Sequence, residues 1–143
     1  MWTVVDLKAF LAGDWRIERT IRDRRHSIDG RLHGEARFTS AGEALNYVER
    51  GTLDFGCHEG RAEQHYVFDF AVGYERAQVR FRDGRDFHEL DLSSGVANVT
   101  HSCGLDLYEG RFTALDGLQW RSAWKVTGPR KDQDIVTNYT RLT

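Results

Sequence analysis

Proline is all but missing from this sequence: Pro129 is the single one in 143 residues. Cysteine is scarce as well, with Cys57 and Cys103 far apart and in no metal-type spacing. No apolar run approaches the ~20 residues that cross a bilayer as a helix. Neither sign of charge dominates, since 20 Lys+Arg against 22 Asp+Glu leave a net charge of −2. Each shortage excludes something. Scarce proline, beside abundant glycine, argues against a disordered tail. Two isolated cysteines rule out a disulfide scaffold or a zinc ribbon, and free thiols are expected in a reducing, cytoplasmic setting. Met1 is followed by no leader pattern, which agrees with that setting. Balanced charge argues against a nucleic-acid partner, and the lack of a long apolar run argues against a membrane.

Glycine, in contrast, is plentiful. There are 14 of them, scattered between short alternating runs, as suits many ordered strands joined by tight turns. Hydrophobic residues make up 40% and charged residues 29%, enough for one soluble domain, 1–143, with a real core.

Leu11-Ala12-Gly13-Asp14-Trp15 carries a change of period. Before it, Leu7, Phe10 and Leu11 give the spacing of one apolar helix face, with Thr3 expected as N-cap, Asp6 in the first turn, a Trp2–Leu7 staple and Gly13 as terminator. After it the period is two. One face is predicted to carry Trp15, Ile17, Arg19 and Ile21, then Leu32, Gly34, Ala36 and Phe38, then Leu45, Tyr47, Glu49, Gly51 and Leu53. The same face continues through Ala62, Gln64, Tyr66, Phe68 and Phe70, then Ala77, Val79 and Phe81. His88, Leu90 and Leu92 follow, with Phe87 and Glu89 on the opposite side. Ala97, Val99, His101 and Cys103 come next, then Asp106, Tyr108, Gly110 and Phe112, then Trp120, Ser122, Trp124 and Val126. Ile135, Thr137, Tyr139 and Arg141 close the chain. A polar turn is expected over Asp23 to Asp29, with Asp29-Gly30 as its hairpin signal, and further turns at Ala41-Gly42, Glu59-Gly60, Asp83-Gly84, Ser94-Gly95, Gly104 and Asp116-Gly117.

About nine or ten strands in this pattern predict an all-β fold: a single antiparallel up-and-down barrel, with the short N-terminal helix capping its closed end. Trp15 and Arg141 are the expected plug, an indole under a guanidinium that joins the first strand to the last. A two-sheet sandwich is the competitor, but it leaves that pair unexplained.

The inward face is not uniformly apolar. It carries Arg19, Glu49, Gln64, Tyr66, His88, His101, Cys103, Thr137 and Tyr139, where a merely filled interior would use Val, Leu and Phe. One account is a ligand cavity with aromatic walls and a few orienting polar groups. The other is that Arg19 and Glu49 satisfy each other while the tyrosines reach the mouth. The candidate binding set is Arg19, Glu49, Tyr66, His88, His101, Trp120, Trp124, Tyr139 and Arg141. Its expected guest is small, partly apolar and anionic in one variant, with Arg19 or Arg141 orienting the charge. A second function class is an enzyme at His88, His101, Cys103, Asp106 and Tyr108. Two imidazoles and a thiolate can hold zinc, a His–Cys pair can make a nucleophile, and Asp106 with Tyr108 can trade protons with His101. A satisfied core histidine and an inert thiol are the plain alternative, and no metal or cofactor is expected. The turn Gly128-Pro129-Arg130-Lys131 is basic. Oligomeric state is left open.

Gly13-Asp14-Trp15, the meander and Tyr139-Thr140-Arg141 together resemble the calycins, the barrel superfamily of lipocalins, fatty-acid-binding proteins and nitrobindin-like domains. Phe87-His88, Leu90-Asp91-Leu92, His101-Ser102-Cys103, Asp106-Leu107-Tyr108 and Gly128-Pro129-Arg130-Lys131 resemble, more closely, a small family of uncharacterised bacterial domains. The resemblance implies the barrel and a small-molecule cavity. The glycine-rich haem motif of the nitrobindin-like domains is absent, and Tyr139 precedes Arg141, the reverse of the fatty-acid-binding order.

Overall fold

In a computed structural model, residues 2–70 and 73–143 are described. A helix, α1 (Leu7–Leu11), leads into ten strands: β1 (Gly13–Asp23), β2 (Ile28–Ala41), β3 (Ala44–Phe55), β4 (His58–Asp69), β5 (Arg76–Phe81), β6 (Asp86–Asp91), β7 (Val96–Cys103), β8 (Asp106–Asp116), β9 (Gln119–Gly128) and β10 (Lys131–Arg141). All neighbours are antiparallel, in the order β6-β5-β4-β3-β2-β1-β10-β9-β8-β7. This is one continuous sheet, as an up-and-down barrel requires, and not a sandwich.

Closure comes from the pairing of β1 with β10, which sets Trp15 opposite Arg141. The guanidinium lies 4.2 Å from the indole centroid. Arg141 Nη1 donates to the Ala12 carbonyl at 2.9 Å and Nη2 donates to Phe10 O. Trp15 Nε1 donates to Leu11 O at 2.8 Å. The carbonyls left open at the end of α1 are therefore taken up by the plug itself. Gly13, at φ +113°, makes the bend from helix to strand, a conformation that a side chain would strain. The barrel is nearly closed: among the described residues, no ladder joins β6 to β7. Side chains fill that seam.

Four local expectations need correction. The N-cap is Asp6, not Thr3, because its carboxylate accepts from Ala9 N at 2.9 Å and the helix begins one residue later. Trp2 does not staple Leu7; it is 46% exposed and lies beside Gly117. Asp29-Gly30 and Glu59-Gly60 are strand residues: the first turn, Arg24–Ser27, lies inside the expected Asp23–Asp29 stretch, and the other comes earlier, at Gly56-Cys57. Phe87 points inward rather than outward, for a reason given below.

The core gathers at the closed end. Val4, Leu7, Leu11, Trp15, Ile17, Leu45, Leu90 and Leu92 are buried there, and Leu7 N and Lys8 N donate to Tyr74 O at 2.8 and 3.2 Å. A helix this short has no stability alone; its apolar face and these bonds hold it over the barrel floor. No described helix is long and apolar enough to cross a membrane.

Candidate functional site

Above the floor the barrel is not filled. A cavity of about 330 Å³ opens between the two ends. Its walls differ in kind. The side built by β1, β3, β4 and β10 is polar, and the side built by β6, β8 and β9 is aromatic.

The polar wall centres on Arg19, from β1. Its Nη1 and Nη2 donate to Glu49 Oε2 and Oε1 at 2.6 and 2.9 Å, and its Nε donates to Thr137 Oγ1 at 2.8 Å. Tyr47 donates to Glu49 Oε1 at 2.6 Å and meets the Tyr139 hydroxyl at 3.1 Å. The side chains of Arg19 and Glu49 are only 13% and 5% exposed. Burial alone would lower the Arg19 pKa, but the Glu49 carboxylate and the neighbouring phenols leave it above the ordinary value. Burial also pushes the hydroxyls of Tyr47, Tyr66 and Tyr139 upward, so all three stay protonated donors at neutral pH. Arg19 thus offers no free charge: a bidentate, charge-assisted pair closes it off. Gln64, whose Nε2 donates to Tyr66 Oη at 2.7 Å, extends this wall toward the mouth.

The aromatic wall depends on one irregularity. The β5–β6 ladder pairs Val79 with His88 but Arg80 with Asp86, so Phe87 is an extra residue in β6. Such a bulge reverses the local alternation and turns Phe87 into the barrel. There it stacks on Trp124, with centroids 5.2 Å apart and planes 11° apart, and on Phe81 and Tyr66. Trp124 can lie flat across β8 only because position 110 is glycine: a Cβ there would come within 2.7 Å of the indole. His88 packs among Phe87, Phe112 and Trp124. Its Nδ1 donates to Glu89 O at 2.9 Å, which fixes the tautomer and leaves Nε2 as acceptor. Burial pushes its pKa down to about 4, so the ring is neutral at physiological pH.

Beneath both walls Trp120 stacks on Tyr139 at 3.6 Å and 3°. Its Nε1 is the buried side-chain donor without a partner among the described residues. At the mouth Lys131 donates to the Tyr108 hydroxyl at 3.2 Å and pairs with Asp106 at 3.3 Å. The Tyr108 and Asp106 bonds raise the Lys131 pKa.

Family and fold comparisons agree with this geometry. The model of a family of unknown function, DUF6314, matches residues 11–141. The chain belongs to that family. Among curated proteins, none matches the sequence. An S-type phycobiliprotein lyase from Guillardia theta has the same fold, with TM-score 0.70 and 9% identity over 95% of this chain and 90% of that one. A Nostoc punctiforme protein of unknown function, from the DUF3598 family, gives TM-score 0.65 and 9% identity; 99% of this chain covers 51% of it. A de novo designed fluorescence-activating β-barrel gives TM-score 0.51 and 13% identity over 97% of this chain and all of its own. At such identities the likeness concerns the fold alone.

Of the candidate binding residues, Arg19, Glu49, Tyr66, His88, Trp120, Trp124 and Tyr139 line the cavity together. Arg141 does not, because it sits under the floor against Trp15. His101 lies at the β6–β7 seam against Phe81, Phe87 and Tyr108, outside the lining. Of the expected cluster, His101 and Tyr108 pack on each other, and His101 and His88 pack on the same Phe87, while Cys103 and Asp106 do not join them. Cys103 was expected to face inward, yet it is exposed at the rim where β7 ends, and Asp106 is taken by Lys131. Among the described residues, no three His, Cys, Asp or Glu side chains are arranged to hold a metal. Phe87, Tyr47, Ser122 and Gln133 also line the cavity without having been singled out as site residues. Strand parity alone puts Tyr47 and Ser122 inside. Gln133 follows from extending β10 to its true start at Lys131.

Proposed function

We propose that the barrel is a binding protein for a small, partly apolar molecule with a flat ring system, held between the polar and aromatic walls. The observation that carries this reading is the coexistence of about 330 Å³ of unfilled volume with a buried Arg19–Glu49 pair on its border. Filling the same space with aliphatic side chains would be at least as stable as ordering a buried ion pair beside a void. Polar groups kept at that cost beside an open volume fit a guest that uses them. Phe87, Trp124 and Phe112 supply the flat contacts, while Tyr66, Gln64 and His88 supply hydrogen bonds. The calycin resemblance supports the same reading, as do the phycobiliprotein lyase and the fluorescence-activating barrel that share the fold. Two exposed, unpaired thiols fit a reducing, cytoplasmic location.

The test uses native mass spectrometry on freshly purified protein, followed by titration with tricyclic aromatics. Wild-type protein should carry a co-purified small molecule or bind a tricycle saturably at one site. Ile135→Trp, which plugs the mouth from β10, should abolish that binding. If the wild-type and plugged proteins behave alike, the reading fails.

A further inference from the structure

The charge of the lining points to the class of guest, provided the cavity is a binding site as proposed above. Arg19 and Glu49 are the ionised side chains that border it, and they face each other. His88 is neutral, with Nε2 as acceptor. What remains on offer is uncharged: hydroxyls from Tyr66, Tyr108 and Ser122, and amides from Gln64 and from Gln133, which also gives one N–H to Asp23 at 3.5 Å. Gln64 already gives one N–H to Tyr66, which leaves its carbonyl free to accept and the Tyr66 proton free to donate. The lining thus offers both donors and acceptors without a net charge.

An anionic guest would gain nothing from Arg19, whose attraction Glu49 cancels at 2.6 Å, and it would lose its hydration on entry. A neutral ring with a donor and an acceptor on one edge loses far less. We propose that the cavity selects uncharged, flat molecules with an amide-like edge, and that Glu49 sets this selectivity by neutralising Arg19. The carboxylate is thus a device against the wrong ligand as much as a contact for the right one. This departs from the anionic guest expected from the sequence, and the reason is that Glu49 lies within bonding distance of the arginine meant to hold that anion.

Two probes of one outline separate the cases: phenanthridinone, a neutral tricyclic lactam, and phenanthrene carboxylate, its anionic counterpart. The wild-type protein should bind the lactam at least about tenfold more tightly than the carboxylate, and the preference should persist in high salt. Glu49→Gln keeps the shape and frees the guanidinium, so it should reverse the order, with a gain of about tenfold or more for the carboxylate. Arg19→Gln/Glu49→Gln removes both charges and should retain the lactam preference. It also serves as the readout if the single variant does not fold. Saturable wild-type binding of both probes with the carboxylate preferred would overturn the selectivity while leaving the binding site standing. So would a Glu49→Gln protein that folds and gains nothing for the anion, or a double variant that prefers the carboxylate. Binding of neither probe, with no effect of the mouth plug, would instead count against the site itself.

Discussion

Two arginines, one on the first strand and one on the last, are held in opposite ways. Arg141, at the floor, stacks on Trp15 and gives its N–H groups to the backbone carbonyls of Phe10 and Ala12. Among the described residues no carboxylate bonds to it, and burial lowers its pKa. Arg19, on β1, is locked to a carboxylate and borders an open cavity. The floor completes a fold with acceptors that the helix end leaves over. The waist keeps a charge pair where packing did not require one. Closure and recognition therefore belong to different layers of one barrel, although the same residue type anchors each.

The largest effect belongs to the floor. Trp15→Ala removes the fully buried indole that the guanidinium, Phe10 and Trp120 pack against, and it should cost about 3–5 kcal/mol in urea denaturation. A loss below about 1 kcal/mol would mean that β1–β10 pairing closes the barrel without the plug.

At the waist, Arg19→Met alone leaves Glu49 buried and unpaired and should cost about 3–5 kcal/mol. Arg19→Met/Glu49→Leu should recover most of that loss, because the desolvation of both charges disappears together. A double variant that stays about 3–5 kcal/mol below the wild type would show instead that the pair is a net stabiliser and needs no guest to explain it.

His88 sharpens the contrast by pH. Its folded pKa, about 4, lies below the unfolded value near 6.5, so the unfolded chain takes up the proton first as pH falls. The contribution is complete above 6.5 and is lost between 6.5 and 4, amounting to about 3 kcal/mol at most. Stability of the wild type minus that of His88→Gln, followed across this window, should fall with acidity; a flat difference would place the ring in water.

The smallest effect belongs to the rim. Cys103→Ser should change stability by no more than about 0.5 kcal/mol and leave ligand titrations unaltered, since the thiol is exposed. A lost titration would return Cys103 to the site.

Much of this was legible in the residues. Period-two alternation is a direct consequence of strand geometry, so ten strands and the inward positions of Arg19, Glu49, Tyr66 and Trp124 could be read from spacing. The Trp15–Arg141 plug followed from placing the first and last strands side by side. Phe87 could not be read, because a single extra residue in β6 inverts parity and no side chain announces it. Cys103 failed for a related reason: alternation places a residue on a face but does not say where the barrel rim lies. The Arg19–Glu49 bond was open as one of two accounts. Spacing puts both on the inward face, but only the wrapped sheet brings β1 and β3 side chains across β2 to meet.

Four tryptophans report on four places, and their indole N–H resonances test the account directly. Trp2 lies outside, Trp15 is under the floor, Trp120 forms the base of the cavity and Trp124 its aromatic wall. On titration with phenanthridinone, the Trp120 and Trp124 signals should move together and saturate while Trp2 and Trp15 stay fixed. Movement of Trp2 or Trp15 in their place, or four unmoved signals, would contradict a guest held between the two walls.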